Sequence, residues 1–317
     1  MKSKKKVQFS MDGAVFGKER SHKIFYWCLL AIPLLHFCVF YIGVNFNSIL
    51  LAFKTYTMKD NVWSATYNLA NFKRVFELLR FDTVMQINLE NSFTFYLFGL
   101  VVTLPFSLIF SFYIYKKHFA SEFFRVILFL PGMISVVVTA FMFKGVVNNG
   151  IPEILRDHGK DIIAPLQDVE MRMPMVILYN FLMGFGTNIL MYSNAMTRID
   201  VSVVEAAMLD GVKPMREFFS ISLPLIFDTI STFLVIGIAG FFTNQASLHA
   251  LYGVNAMEYR EVRTLGYQMF VETQIAENRE ATYPYLAALG LCCTMVAFPL
   301  TMFVRWALDK VNPNSQA

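Results

Sequence analysis

Two sets of residues in this chain have types and spacings that could do chemistry. The first is Glu205-Ala206-Ala207, three residues, Gly211, nine residues, and then Ile221-Ser222-Leu223-Pro224. The small pair Ala206-Ala207 gives a helix a smooth face that a partner can approach closely, and Glu205 beside it offers a charged contact. A helix is expected over 203–210, after Arg198-Ile199-Asp200. Asp210 leads into Gly211, which can stop that helix in the left-handed conformation. A second helix, over 214–221, starts with Pro214 in its first turn and leads into Leu223 and Pro224. That is chemistry of docking, not of bond making. The second set is uncharged: Asn180, Gly184, Thr187, Asn188 and Met191 recur at one face of a helix. Gly237, Gly240 and Asn244 form a similar stripe, with Gln245 beside it. Amides and aromatic faces suit an uncharged, hydroxyl-rich solute such as a sugar. The same residues serve equally well as inter-helix packing, and both readings stay open.

No residue set supports catalysis. The chain contains no G-x-x-x-x-G-K-[ST] phosphate loop, no G-x-G-x-x-G opening a helix after a strand, and no H-E-x-x-H pair. Gly184-Phe185-Gly186 falls inside an apolar run with no strand before it and is not a nucleotide loop. The five histidines are scattered, and only His36 lies in an apolar run. Cys28, Cys38, Cys292 and Cys293 all fall in such runs, offer no metal spacing and read as reduced packing residues. The run Lys2–Lys6 has no interleaved aromatics for base stacking, so it reads as an anchor beside anionic lipid headgroups and not as a nucleic-acid site.

The elements that must position these residues are membrane spans. The chain has 317 residues, 56% of them hydrophobic and only 16% charged, with 33 phenylalanines and 18 methionines. Six runs reach the roughly 20 apolar residues a bilayer crossing requires: 24–44, 92–115, 124–143, 175–196, 225–246 and 284–306. The first is too long for a signal-peptide core and no small-residue cleavage site follows it. Asp228 is the only acid inside a run; near the start of the fifth it can reach the interface or a partner helix, and it has no midplane companion for a proton relay.

Lysine and arginine set the orientation. With the N-terminus inside, the inner segments and their flanks carry basic residues at about twice the density of the outer loops. The loop 197–224 and both termini are then cytoplasmic, in a multi-pass protein of the cell (inner or cytoplasmic) membrane. The expected organisation is a tail over 1–23, a first span over 24–44, and an outer segment over 45–91 folded as a cap of turns and short helices. A five-helix core over 92–306 and a tail over 307–317 follow. Pro33, Pro105, Pro131-Gly132 and Pro299 punctuate the runs and kink or pack their helices. The fold class is all-α.

The loop pattern resembles that of permease subunits of carbohydrate-uptake ABC importers, of the maltose, multiple-sugar and glycerol-phosphate type. The similarity extends from about Asn91 to Pro313 and takes in Phe129-Leu130-Pro131, 149–155, 264–270 and 283–288. It implies the type I importer permease fold and a subunit that pairs with a second, homologous permease. It also implies two ATPase subunits that dock on the coupling loop and bind the ATP, an extracytoplasmic binding protein that delivers a sugar, and no cofactor of the chain's own. Val212 and Asp228 stand where alanine and proline are common, and the Gly-Gly-Pro often found after the fifth span is missing around 251–257. The competing expectations are a permease for another solute, such as a glycerol phosphodiester, and a proton-coupled secondary carrier. The first would be favoured by a basic residue in the pathway, and Arg125 and Arg305 stand only at the ends of their runs. The second would be favoured by midplane acids and an internal repeat, and the sequence has neither.

Overall fold

The computed structural model describes residues 12–59, 62–159, 162–276 and 279–312. The Lys2–Lys6 run and the end of the C-terminal tail, 313–317, lie outside them. In apolar surroundings every backbone polar group needs an internal partner, and a helix supplies one within its own segment. Among the described residues, four helices are long and apolar enough to cross a membrane: Lys23–Ala52, Thr83–Tyr115, Val169–Met196 and Thr282–Val311. Two bent pairs raise the number to six if each counts as one span. They are Ser121–Met133 with Val136–Asp157, bent by 104°, and Pro214–Leu225 with Phe227–Thr243, bent by 67°. Below, the six are numbered in chain order.

The third and fifth spans, expected over 124–143 and 225–246, are thus broken and not merely kinked. In the third, Ile134 and Ser135 are extended, with ψ of 148° and 133°. Pro131, inside the preceding helix, has no N–H to bond the carbonyl four residues back. The helix then closes with Ile134 N–H donating to the Pro131 carbonyl at 3.3 Å. In the fifth, the break falls at Ile226, two residues after Pro224. The α-helix that follows ends at Gly240, and a 3-10 turn covers Phe241–Thr243. Asn244 therefore lies beyond the helix, not on a continuous stripe with Gly237 and Gly240.

The segment before the core also differs from expectation. Helix begins at Asp12 and continues, through a wider-wound stretch at Phe37–Gly43, to Ala52. The second span starts at Thr83, well before residue 92, because the Asp82 carboxylate caps it by accepting from Val84 N–H at 2.7 Å and Met85 N–H at 3.3 Å. Between them stand an antiparallel hairpin and the helix Ala70–Phe81, in place of turns and short helices alone. Strands β1 (Lys54–Lys59) and β2 (Val62–Tyr67) pair from Lys54 opposite Tyr67 to Lys59 opposite Val62. Thr55, Tyr56, Thr57, Val62, Thr66 and Tyr67 are β-formers. Asn71 fixes the hairpin base by donating to the Ala52 and Lys54 carbonyls at 3.0 and 2.8 Å.

The fourth span is the axis of the bundle. Ser111 Oγ of the second span donates to the Ile189 carbonyl at 3.0 Å. At the hairpin end, buried Arg172 pairs with Glu261, lies 3.9 Å above the Tyr259 ring and donates to the Leu166 and Gln167 carbonyls. Asn91 of the second span donates to the Arg260 and Arg263 carbonyls. At the opposite end, Leu108, Phe112, Tyr192, Met196, Phe218 and Ile226 form one buried cluster that anchors the loop after the fourth span.

Candidate functional site

That loop begins as the fourth span ends at Met196. The Asp200 side chain accepts from Ser202 N–H at 3.0 Å and opens the helix Val201–Leu209. This hydrogen bond to the ionised form holds the Asp200 carboxyl below its ordinary range. The helix ends as the glycine position implies. Gly211 has φ of +67°, its N–H donates to the Met208 carbonyl at 3.1 Å, and Val212 N–H donates to the Ala207 carbonyl at 3.0 Å. These two bonds are the 5→2 and 6→1 pair of a Schellman stop.

The helix hardly touches its own chain. Ala207 is its one buried residue, whereas Glu205, Ala206 and Asp210 are exposed. Exposed apolar side chains surround them: Val201, Val203, Met208 and Leu209, the last 90% exposed. A two-turn helix with one buried residue has too little packing to hold itself in place, and its caps and the loop after it do so instead. Pro214–Glu217 is a short helix with Glu217 buried, and Phe218–Ser222 winds more widely. Leu223 and Pro224 are half-buried where the chain bends into the fifth span, and Leu223 packs on the cluster around Phe218. They set the loop's exit and do not present a surface. Glu217 was not singled out from the sequence; its partner Lys116 comes from a different loop, and no local spacing announces the pair.

The uncharged set divides. A cleft of about 310 Å³ is lined by Tyr96 and Gly99 of the second span, Asn188 and Tyr192 of the fourth, Phe233 and Gly237 of the fifth, and Asn244. Asn188 is half-buried and its amide has no hydrogen-bond partner among the described residues. The aromatic walls are braced edge to face, Tyr192 on Phe233 at 5.6 Å and Tyr96 on Phe241 at 5.9 Å. Asn244 keeps its place by accepting from Ala246 N–H at its side chain and from Thr264 Oγ at its carbonyl. Asn180 does not line the cleft. Its amide donates to the Val176 and Ala246 carbonyls, both at 2.8 Å, and accepts from Ser247 Oγ at 3.1 Å. That side chain is committed to holding the fourth span against the turn after the fifth. Gly184 and Gly240 are half-buried and also outside the lining. Asp228 is exposed at the start of its helix and accepts from Asn312 at 2.5 Å. No group of His, Cys, Asp or Glu that could hold a metal occurs among the described residues.

A family model described as binding-protein-dependent transport system inner membrane component matches residues 103–315. A probable ABC transporter permease protein of Mycoplasma pneumoniae is 26% identical over 240 residues, covering 71% of each chain. The polygalacturonan/rhamnogalacturonan transport system permease protein YteP of Bacillus subtilis is 22% identical over 314 residues, covering 95% of each. One chain in the crystal structure of a bacterial alginate ABC transporter, in complex with alginate pentasaccharide-bound periplasmic protein, shares this fold. The TM-score is 0.75 over 93% of this chain and 98% of that one, at 19% identity.

Proposed function

Because the chain belongs to the family of binding-protein-dependent transport inner membrane components, we propose that it is the permease subunit of an ATP-driven importer carrying a sugar or oligosaccharide into the cytoplasm. The observation that carries this reading is the helix Val201–Leu209, stopped at Gly211 and exposed on nearly every side. A short helix that packs so little on its own chain is built to seat on another. Two ATPase subunits are its partners, one docking Glu205 and Ala206 on this chain and the other serving a second, homologous permease. Asp210 and Gly211 hold the helix at the angle docking needs, and Leu223 and Pro224 pass its movement into the fifth span. The loop and both termini face the cytoplasm, in line with the basic bias of the segments at that end.

The solute is read from the cleft. Its polar lining is amide and phenol, Asn188, Asn244, Tyr96 and Tyr192, beside the phenyl ring of Phe233. Those groups bind hydroxyls and sugar ring faces. Relatives named for polygalacturonan and alginate transport support a saccharide. An extracytoplasmic binding protein delivers it at the hairpin end.

The test is reconstitution of the permease pair with its ATPase and binding protein in proteoliposomes. ATP hydrolysis and uptake are measured with neutral oligosaccharides, uronate oligosaccharides and glycerol phosphodiesters. Stimulation by a saccharide is the expected result. Stimulation by the phosphodiesters alone would overturn the substrate class, and wild-type uptake without ATP would overturn the importer.

A further inference from the structure

The turn after the second span and the loop after the fourth are joined by an ion pair between Lys116 and Glu217, whose side chains are only 14% and 6% exposed. The Lys116 ammonium stands 5.8 and 5.7 Å from the ring centres of Phe112 and Tyr115. Next to Glu217, the Phe218 ring meets Phe112 at 5.1 Å. Each end of the pair belongs to a stiff element. Lys116 closes the second span through its N–H to the Phe112 carbonyl at 3.0 Å. The turn that follows is fixed by Lys117 and Ala120, at φ of 51° and 55°, and by Tyr113 Oη donating to the Phe119 carbonyl. Glu217 ends the short helix that follows Gly211, with its N–H on the Lys213 carbonyl at 2.9 Å.

Apolar contacts such as Phe112–Phe218 can slide past one another at little cost. A buried carboxylate cannot leave its ammonium without standing uncompensated away from water, and a charge-assisted contact also fixes direction. From this geometry we infer that the Lys116–Glu217 pair is the tie through which movement of the exposed helix Val201–Leu209 is carried to the corner between the second and third spans. The two are positioning residues for transport. The inference rests on the coupling role proposed for that helix.

The test uses the assembled transporter in nanodiscs, with a cysteine-free chain carrying spin labels at Phe119→Cys and Met215→Cys, both exposed positions. The distance between them is measured without nucleotide and after trapping with ATP and vanadate. With the native pair, the distance should be the same in both states. With Lys116→Met or Glu217→Gln the distance should differ between the states, and binding-protein-stimulated hydrolysis should fall about tenfold, in the range of a coupling free energy. The charge-exchanged double variant, Lys116→Glu with Glu217→Lys, should restore the single distance and the stimulation. Single variants that keep one distance in both states overturn the inference, as does an exchange that restores nothing. Loss of bound ATPase in the single variants would make the pair part of docking, and also overturns it. Failure of the coupling role itself would read differently: Glu205→Lys and Gly211→Val would leave ATPase binding untouched.

Discussion

A Cβ placed on Gly186 would stand 1.8 Å from the carbonyl oxygen of Leu128, so the third and fourth spans meet there backbone against backbone. Two residues earlier, a Cβ on Gly184 would meet nothing within 4 Å. The two glycines of Gly184-Phe185-Gly186 thus answer to different constraints. Gly186→Ala should force the helices apart and lower stability by about 1–3 kcal/mol, the range for overpacking, whereas Gly184→Ala should be near neutral. Thermal unfolding of the purified chain in detergent, followed by tryptophan fluorescence, separates them. Equal midpoints would mean the helices do not approach as described.

Asn180 and Asn188 share a helix face but not a role. Asn180 spends both amide donors and its acceptor on Val176, Ala246 and Ser247, so Asn180→Leu should strand the Ala246 carbonyl and the Ser247 hydroxyl and reduce the amount of folded protein in the membrane. Asn188→Leu removes an amide that has no partner among the described residues and lines the cleft. Uptake should drop severalfold with protein abundance unchanged, since a lost hydrogen bond to bound solute is worth about 1 kcal/mol. The comparison needs only membrane immunoblots beside an uptake assay. Full uptake in Asn188→Leu would move the solute path away from this cleft.

Much of this was legible in the chain itself. Gly211 and the spacing to Pro224 are local signals, and the helix they imply forms within a few residues of its expected bounds, its start moved to Val201 by the Asp200 cap. The apolar runs reported where helices lie but not where they bend. Pro131 and Pro224 could be taken for kinks absorbed by a bundle, yet the chain turns sharply just past each one. The hairpin at Lys54–Tyr67 was overlooked although Thr55, Tyr56 and Thr57 face Thr66, Ala65 and Ser64 across it, because a two-stranded pair leaves a weaker periodic trace than a span. What remained hidden was partnership at long range. Nothing near Asn180 says that its partners include the turn after the fifth span, and nothing near Glu217 says that Lys116 will neutralise it.

Orientation can be read from two exposed positions at opposite ends of the bundle, Tyr67 on β2 and Phe119 in the turn after the second span. In a cysteine-free background, Tyr67→Cys should react with a membrane-impermeant maleimide on intact cells. Phe119→Cys should react only after permeabilisation. The reverse pattern would invert the protein and place the loop after the fourth span on the wrong side for ATP.

Gly211 and Glu205 test the two halves of the docking helix separately. Gly211 holds φ of +67°, a conformation that costs a residue with a side chain about 1–2 kcal/mol, and a β-branched one more. Nothing lies within 4 Å of where its Cβ would be, so substitution there acts through the backbone alone. Gly211→Val should release the Schellman stop and let the helix lose its aim, whereas Gly211→Asn, which tolerates the left-handed region, should retain most function. Glu205 is exposed and has no ion-pair partner among the described residues, so Glu205→Lys should leave this chain's fold intact and reverse only its contact with the ATPase. Copurification of the ATPase and ATP-dependent uptake should both fall severalfold for Gly211→Val and Glu205→Lys, consistent with a loss of about 1–2 kcal/mol at one interface. Unchanged ATPase copurification and uptake in both would mean that the partner seats elsewhere, and that the exposed apolar residues around Leu209 cover some other surface.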